Sequence, residues 1–216
     1  MSAFSGIVTF FKVGGFFLYP ILLVWIIGLA IGVERFLHLR GVGLNNNRLW
    51  SALKPLFEKS QFEQAKKIVY SAKGCMADVL KYGLSRIETA KDRDDIEKAM
   101  EESLIEVIPD LERRTHYINS LANIVMLMGL FGTVLGLIHA FEAVAQANAA
   151  EKAALLSASI SEAMHNTALG LIAAISLLLV HMYIQTKTTD LVDSLEVATV
   201  KFLNSVKEFG ASTTSR

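Results

Sequence analysis

Three long apolar stretches stand out in a chain whose other segments mix polar and apolar positions. They are residues 16–33, 121–141 and 163–183, and none of them contains Asp, Glu, Lys or Arg. Crossing the ~30 Å hydrocarbon core of a bilayer takes about 20 helical residues at 1.5 Å each, so each stretch is long enough. The pattern predicts three transmembrane helices, at 16–33, 118–144 and 153–184.

The polar segments carry a helical periodicity. Apolar residues recur every three or four positions from Ile96 to Leu121 and again from Ile184 to Phe209, with charged residues between them. This spacing is typical of amphipathic helices. Only Pro109 interrupts the first run, and it predicts a kink. The expected fold is therefore all-α, with the second and third membrane helices extended into a cytoplasmic helical bundle.

Lys and Arg residues predict the orientation. Those beside the apolar stretches are concentrated between the first and second stretches and after the third, whereas Lys12 and Lys152 stand alone on the other side. Cytoplasmic segments carry the excess of positive charge. The segments assigned to the periplasm are 1–15 and the loop 145–152, and those assigned to the cytoplasm are the helical region 34–117 and the amphipathic helix and tail 185–216.

Composition narrows the classes of function. The chain is 52% hydrophobic, and 21 basic residues balance 21 acidic ones. This suits a protein of the lipid bilayer and offers no net positive charge for nucleic acid. The sequence shows no nucleophile–base pair, phosphate-binding loop or cluster of metal ligands. We therefore expect neither an enzyme nor a metal or cofactor site, and we expect Cys75 to be a reduced thiol.

A few polar side chains lie in or beside the second and third stretches. If these helices form a hairpin, Thr133 and Thr167 fall at one depth, each 16 residues from a tyrosine, and Glu162 lies about 7 Å further outward. Polar groups within a bilayer are costly and so are candidates for function. Two local explanations stay open: Thr can bond to a carbonyl of the preceding turn, and Glu162 can be a boundary residue. His139 and Asn166 are further polar candidates.

Small residues form a face on each of the same two helices. Gly129, Gly132 and Gly136 follow three-four spacing on the second, and Gly170 belongs to the equivalent face of the third. Such faces let helices approach closely. Two interpretations remain: the small residues serve helix packing alone, or they form a wall that encloses another helix or water. Because the three apolar cores lack an acidic residue, a conducting assembly would need a carboxylate from another polypeptide.

Two sequence segments carry a family resemblance. GLFGTVLGLIHAF at 129–141 and SEAMHNTALGLIAAI at 161–175 resemble the ExbB/TolQ branch of the MotA/TolQ/ExbB proton-channel family. The resemblance implies a channel-forming subunit of a motor in the bacterial inner membrane, driven by the proton-motive force, with Thr133, Thr167 and Glu162 lining its pore. It also implies a homo-oligomeric ring, usually of five copies, around an ExbD/TolR-like single-span partner whose intramembrane aspartate carries the protons.

The sequence leaves two questions of function open. Ser176 stands where the family commonly has proline, and the energised process could be TonB-type import, Tol-type envelope maintenance, or a specialised motor such as gliding. A different class of function is a non-conducting membrane scaffold, whose small-residue faces only assemble helices.

Overall fold

The structure is a computed structural model that describes residue 10 and residues 14–59, 61–87 and 93–214. Within these ranges every regular element is an α-helix, and three of the helices are long and apolar enough to cross a membrane. The predicted all-α membrane fold with three spanning helices is confirmed. In chain order the helices are α1 (Leu18–Glu58), α2 (Phe62–Ser71), α3 (Cys75–Arg86), α4 (Arg93–Glu112), α5 (Thr115–Gln146) and α6 (Lys152–Thr214).

Two of the spanning helices continue far beyond their apolar stretches. Helix α6 is unbroken over 63 residues, as the periodicity after residue 184 indicates. Helix α1 runs for 41 residues to Glu58, although the segment after Val33 contains Gly and Asn residues that are poor helix formers. Its later apolar residues Leu49, Leu53 and Phe57 are buried, so packing stabilises the helix where local propensity does not.

The approach to the second span is interrupted at Arg114. Pro109 lies inside α4, whereas Arg114 has a left-handed backbone conformation, with φ of 64°, between α4 and α5. A single left-handed residue ends one helix and redirects the chain. The interruption therefore falls a few residues after the kink predicted at Pro109.

The chain divides into two compact units. The first comprises residues 1–34 and 114–183, and we call it the spanning unit because it contains the three apolar stretches. Its interior includes Leu18, Ile118 and Leu177, all nearly inaccessible. Large apolar side chains also cover its outside, as expected where the surroundings are lipid or other helices; they include Leu23, Ile26, Leu127, Phe131, Ile172 and Leu179.

The second unit comprises residues 35–113 and 184–216. Phe57, Phe62 and Phe202 form an aromatic cluster with ring centroids 5.2–6.5 Å apart. Arg35 is buried in this unit and donates a hydrogen bond to the backbone carbonyl of Leu111. A buried guanidinium needs such acceptors because desolvation of its charge is costly.

Candidate functional site

Close contact between α5 and α6 sets the geometry of the candidate site. Gly129 lies opposite Gly170, and a Cβ atom added to Gly170 would stand 2.8 Å from the Gly129 Cα. Further along the hairpin, Gly136 lies against Ala163, and a Cβ atom added there would stand 2.7 Å from the Ala163 Cβ. With Gly132, which faces Asn166, the four predicted packing glycines all lie between two helices of the same chain.

The two threonines lie at nearly the same level on this hairpin. The opposed glycines place Thr133 and Thr167 within about 2 Å of one level along the helix axes. The Thr167 hydroxyl donates across the hairpin to the Gly129 carbonyl at 3.0 Å, and the Thr133 hydroxyl donates to the Leu130 carbonyl of its own helix at 2.5 Å. Each hydroxyl has thus used its only hydrogen, but its oxygen can still accept a hydrogen bond.

Glu162 points in another direction. It lies five residues before Thr167 on α6 and is therefore rotated by about 140° around the helix axis. Its side chain is exposed, and its carboxylate lies against the turn that precedes α1: a Cβ atom added to Gly15 would stand 1.7 Å from the Glu162 Oε1. The structure therefore places the two threonines at nearly one level and Glu162 beside the turn that precedes the first span.

The other two polar candidates occupy different environments. Asn166 is only 2% exposed, its side chain packs over Gly132, and its Oδ1 atom has no hydrogen-bond partner among the described residues. His139 lies on the exposed side of α5. Asn166 is thus an internal polar group of the chain, whereas His139 lies on its surface. Across the described ranges, no group of three His, Cys, Asp or Glu side chains could hold a metal ion.

Helix α1 is attached to α6 by a contact that sequence reasoning missed. The Trp25 Nε1 donates to the Ser176 Oγ at 2.7 Å, and the Ser176 hydroxyl donates to the Ala173 carbonyl at 2.8 Å. Gly28 and Gly32 lie on the same side of α1, where added Cβ atoms would stand 2.7 Å from side-chain atoms of α6. The four-residue spacing of these glycines was the available signal of a close helix contact.

The end of the spanning unit away from Glu162 carries an ion pair. Arg114 Nη1 and Glu34 Oε2 lie 3.3 Å apart, and both side chains are about half exposed. Such an exposed pair contributes at most about 1 kcal/mol. Glu34 directly follows the first apolar stretch and Arg114 lies seven residues before the second, as expected of charges near a membrane boundary.

The sequence of this chain is similar to those of a known protein family. A model of the MotA/TolQ/ExbB proton channel family matches residues 71–197, more than half of the chain and a region that includes α5 and the apolar part of α6. A putative biopolymer transport protein ExbB homolog of Methanothermobacter thermautotrophicus is 25% identical over 198 residues, which are 91% of this chain and 69% of the relative.

Two further relatives extend the similarity to both named branches. The putative biopolymer transport protein ExbB-like 3 of a Synechocystis species is 28% identical over 167 residues, covering 77% of this chain and 79% of the relative. The Tol-Pal system protein TolQ of Haemophilus influenzae is 38% identical over 78 residues, covering 36% of this chain and 34% of the relative. The matched region thus connects the chain to ExbB and to TolQ proteins.

Proposed function

Because this chain belongs to the MotA/TolQ/ExbB proton channel family, we propose that it forms the channel of a membrane motor driven by the proton-motive force. It is a multi-pass inner-membrane protein of the ExbB/TolQ branch. In the proposal it works with an ExbD/TolR-like single-span partner that carries an intramembrane aspartate and acts on the periplasm or outer membrane. The observation that carries this proposal is the level pair of Thr133 and Thr167 on the tightly packed α5–α6 hairpin.

The hydrogen bonds of the threonines suggest how the partner is moved. Both hydroxyl hydrogens are donated to backbone carbonyls, of Leu130 and Gly129, so each oxygen acts only as an acceptor. A protonated aspartic acid has one hydrogen to donate, whereas an ionised aspartate has none. The threonine pair therefore favours the protonated partner and releases it on ionisation. Proton transfer then changes which wall of the channel the partner helix prefers.

Glu162 has a different part in this proposal. A hydroxyl acts only at hydrogen-bond distance, whereas the charge of a carboxylate acts over several ångströms, most strongly where water is scarce. Since Glu162 is rotated away from Thr167, we assign it to the entrance, where its charge raises the local concentration of cations. The N-terminus and Glu162 face the periplasm in this arrangement, and the C-terminus lies in the cytoplasm.

Assembly follows from the polar surface of a single chain. Glu162 is exposed and both threonines are partly exposed on the spanning unit, and a polar group that faces lipid costs up to a few kcal/mol. Copies of the chain can remove this cost by enclosing the polar surface in a closed ring. Five copies is the number that the family resemblance implies.

Replacing Thr133 by Val tests the function most cleanly. Val keeps the shape of Thr but removes the accepting oxygen. The Thr133 hydroxyl donates to a carbonyl of its own helix, whereas the Thr167 hydroxyl joins two helices. We expect the Thr133→Val complex to assemble normally and to lose its proton-dependent activity in cells, with Thr133→Ser active as the matched control. His165→Ala, outside the threonine pair, should have a mild effect. If Thr133→Val and Thr167→Val both assemble and keep full activity, a non-conducting scaffold becomes the better account.

A further inference from the structure

The turn that leads into the first span contacts the α5–α6 hairpin at several points. Gly15 lies against Glu162. The rings of Phe10 and His165 are 4.8 Å apart, and those of Phe17 and Phe131 are 5.6 Å apart. Residues on both sides of Gly15 therefore rest on the same end of the hairpin, which holds the turn over Glu162.

A side chain at position 15 would displace the Glu162 carboxylate. A Cβ atom added to it would stand 1.7 Å from the Glu162 Oε1 and 2.7 Å from the Glu162 Cδ. Its φ of 70° is also a backbone conformation that other residues rarely adopt. The backbone shape of the turn thus depends on glycine, and any side chain here would move the exposed Glu162 carboxylate away from the turn.

We propose that the turn Gly14–Phe17 is part of the ion entrance and that Gly15 is a positioning residue, which fixes the Glu162 carboxylate at the start of α1. The first N–H groups of a helix lack intrahelical partners, and the positive end of its dipole favours a negative group. A cation that enters at Glu162 therefore binds the carboxylate beside the first turn of α1. The inference rests on the proposed function, since it deepens the role given there to Glu162.

A disulfide tests the contact without any assay of function. In the full chain with Cys75→Ser, Gly15→Cys is combined with Glu162→Cys; a sulfur at the place of the Glu162 Cγ would lie 3.3 Å from a Cβ atom at position 15. This is close to the separation of about 3 Å that a disulfide requires. The control pair is Gly14→Cys with Glu162→Cys, because a Cβ atom at position 14 would meet Leu18 and Phe10 instead. We expect mild oxidant in membranes to link the first pair faster than the second.

A double-mutant comparison tests the role in ion entry, with proton flux through the complex with its partner as the readout. Gly15→Ala should reduce flux, because the added Cβ atom displaces the Glu162 carboxylate, and Glu162→Ala combined with it should lower flux no further, since the carboxylate is already out of place.

Different results would contradict the role of Gly15 and the proposed channel function. Cross-linking no faster than in the control pair, or full flux in Gly15→Ala while Glu162→Ala is impaired, overturns the inference and leaves the proposed function intact. Full flux in Glu162→Ala and in both Thr→Val variants overturns the proposed function, and with it the role of Gly15 in ion entry, even where the cross-link forms.

Discussion

Thr133, Thr167 and Asn166 lie within one short part of the hairpin but use their polar atoms differently. The threonines donate to carbonyls, whereas the Asn166 Oδ1 is buried without a partner among the described residues. The shared level of the threonines could be predicted because it follows from the antiparallel path of two helices. The inward direction of Asn166 and the contact of Glu162 with Gly15 could not, since they depend on how α6 is rotated and where the first span begins.

The environment of Cys75 predicts that its thiol reacts more slowly in the folded protein than in the unfolded chain. Burial is the main cause that raises the pKa of its thiol, and nearby Asp78 and Asp110 add to the shift. Because only the thiolate reacts with alkylating reagents, a raised pKa leaves less of the reactive form at pH 8. We expect iodoacetamide to label the folded protein more slowly than the unfolded chain. The labelling rate of the folded protein should also continue to rise at a pH where that of the unfolded chain has levelled off.

Labelling can be read at a single position because the sequence has one cysteine. Mass spectrometry of the intact chain over a series of pH values measures both rates. Equal rates and equal pH profiles in the folded and unfolded chains would contradict the effect of burial on this thiol.

At the scale of the helices, the apolar stretches could be found from the sequence but the full lengths could not. Hydropathy reports where a helix crosses lipid. The continuation of α1 to Glu58 instead depends on burial of Leu53 and Phe57 in the second unit. The break at Arg114 has no Gly or Pro to signal it, because the left-handed residue is an arginine. Tertiary packing decides both features.

Gly129 and Gly41 provide a matched pair for the hairpin contact. A Cβ atom at Gly129 would stand 3.0 Å from backbone atoms of Asn166 and Gly170, which cannot move without separating the helices, whereas nothing lies within 4 Å of one at Gly41. We expect Gly129→Ala to destabilise the protein by about 1–3 kcal/mol. Gly41→Ala, in an exposed part of α1, should be neutral or stabilise by about 0.5–1 kcal/mol.

Thermal unfolding of the two variants in one mild detergent provides the measurement. A lowered midpoint for Gly129→Ala beside an unchanged or raised midpoint for Gly41→Ala is the expected result. Wild-type stability in Gly129→Ala would show that α5 and α6 do not pack through these glycines.

For the whole molecule, the division into units follows the hydropathy pattern. The chain passes from one unit to the other at Glu34–Arg35 and Tyr183–Ile184, which adjoin the ends of the first and third apolar stretches, and at Arg113–Arg114, seven residues before the second. Assembly is harder to predict from one chain, because an apolar side chain on the outside suits lipid and a neighbouring helix almost equally. The predicted pentameric ring therefore stays a prediction that depends on the family resemblance.

The proposed orientation makes a prediction for the whole chain. The excess of positive charge beside the apolar stretches predicts that residues 60–90 and the C-terminus are cytoplasmic, so we expect reporters fused there to behave as cytoplasmic. A tag inserted at residue 148, in the short connection between α5 and α6, should be accessible from the periplasm. Labelling of residues 60–90 in intact cells would overturn both the orientation and the channel built on it.

Proton flux into liposomes shows whether the Thr133 hydroxyl is needed for ion conduction. The purified complex of this chain with its single-span partner would be reconstituted, a potassium diffusion potential applied, and acidification followed with a pH-sensitive dye inside the vesicles. We expect proton flux through the wild-type and Thr133→Ser complexes. For a normally assembled Thr133→Val complex we expect only the flux of empty liposomes. Equal flux through the wild type and Thr133→Val, or none through a wild-type complex that is active in cells, would contradict it.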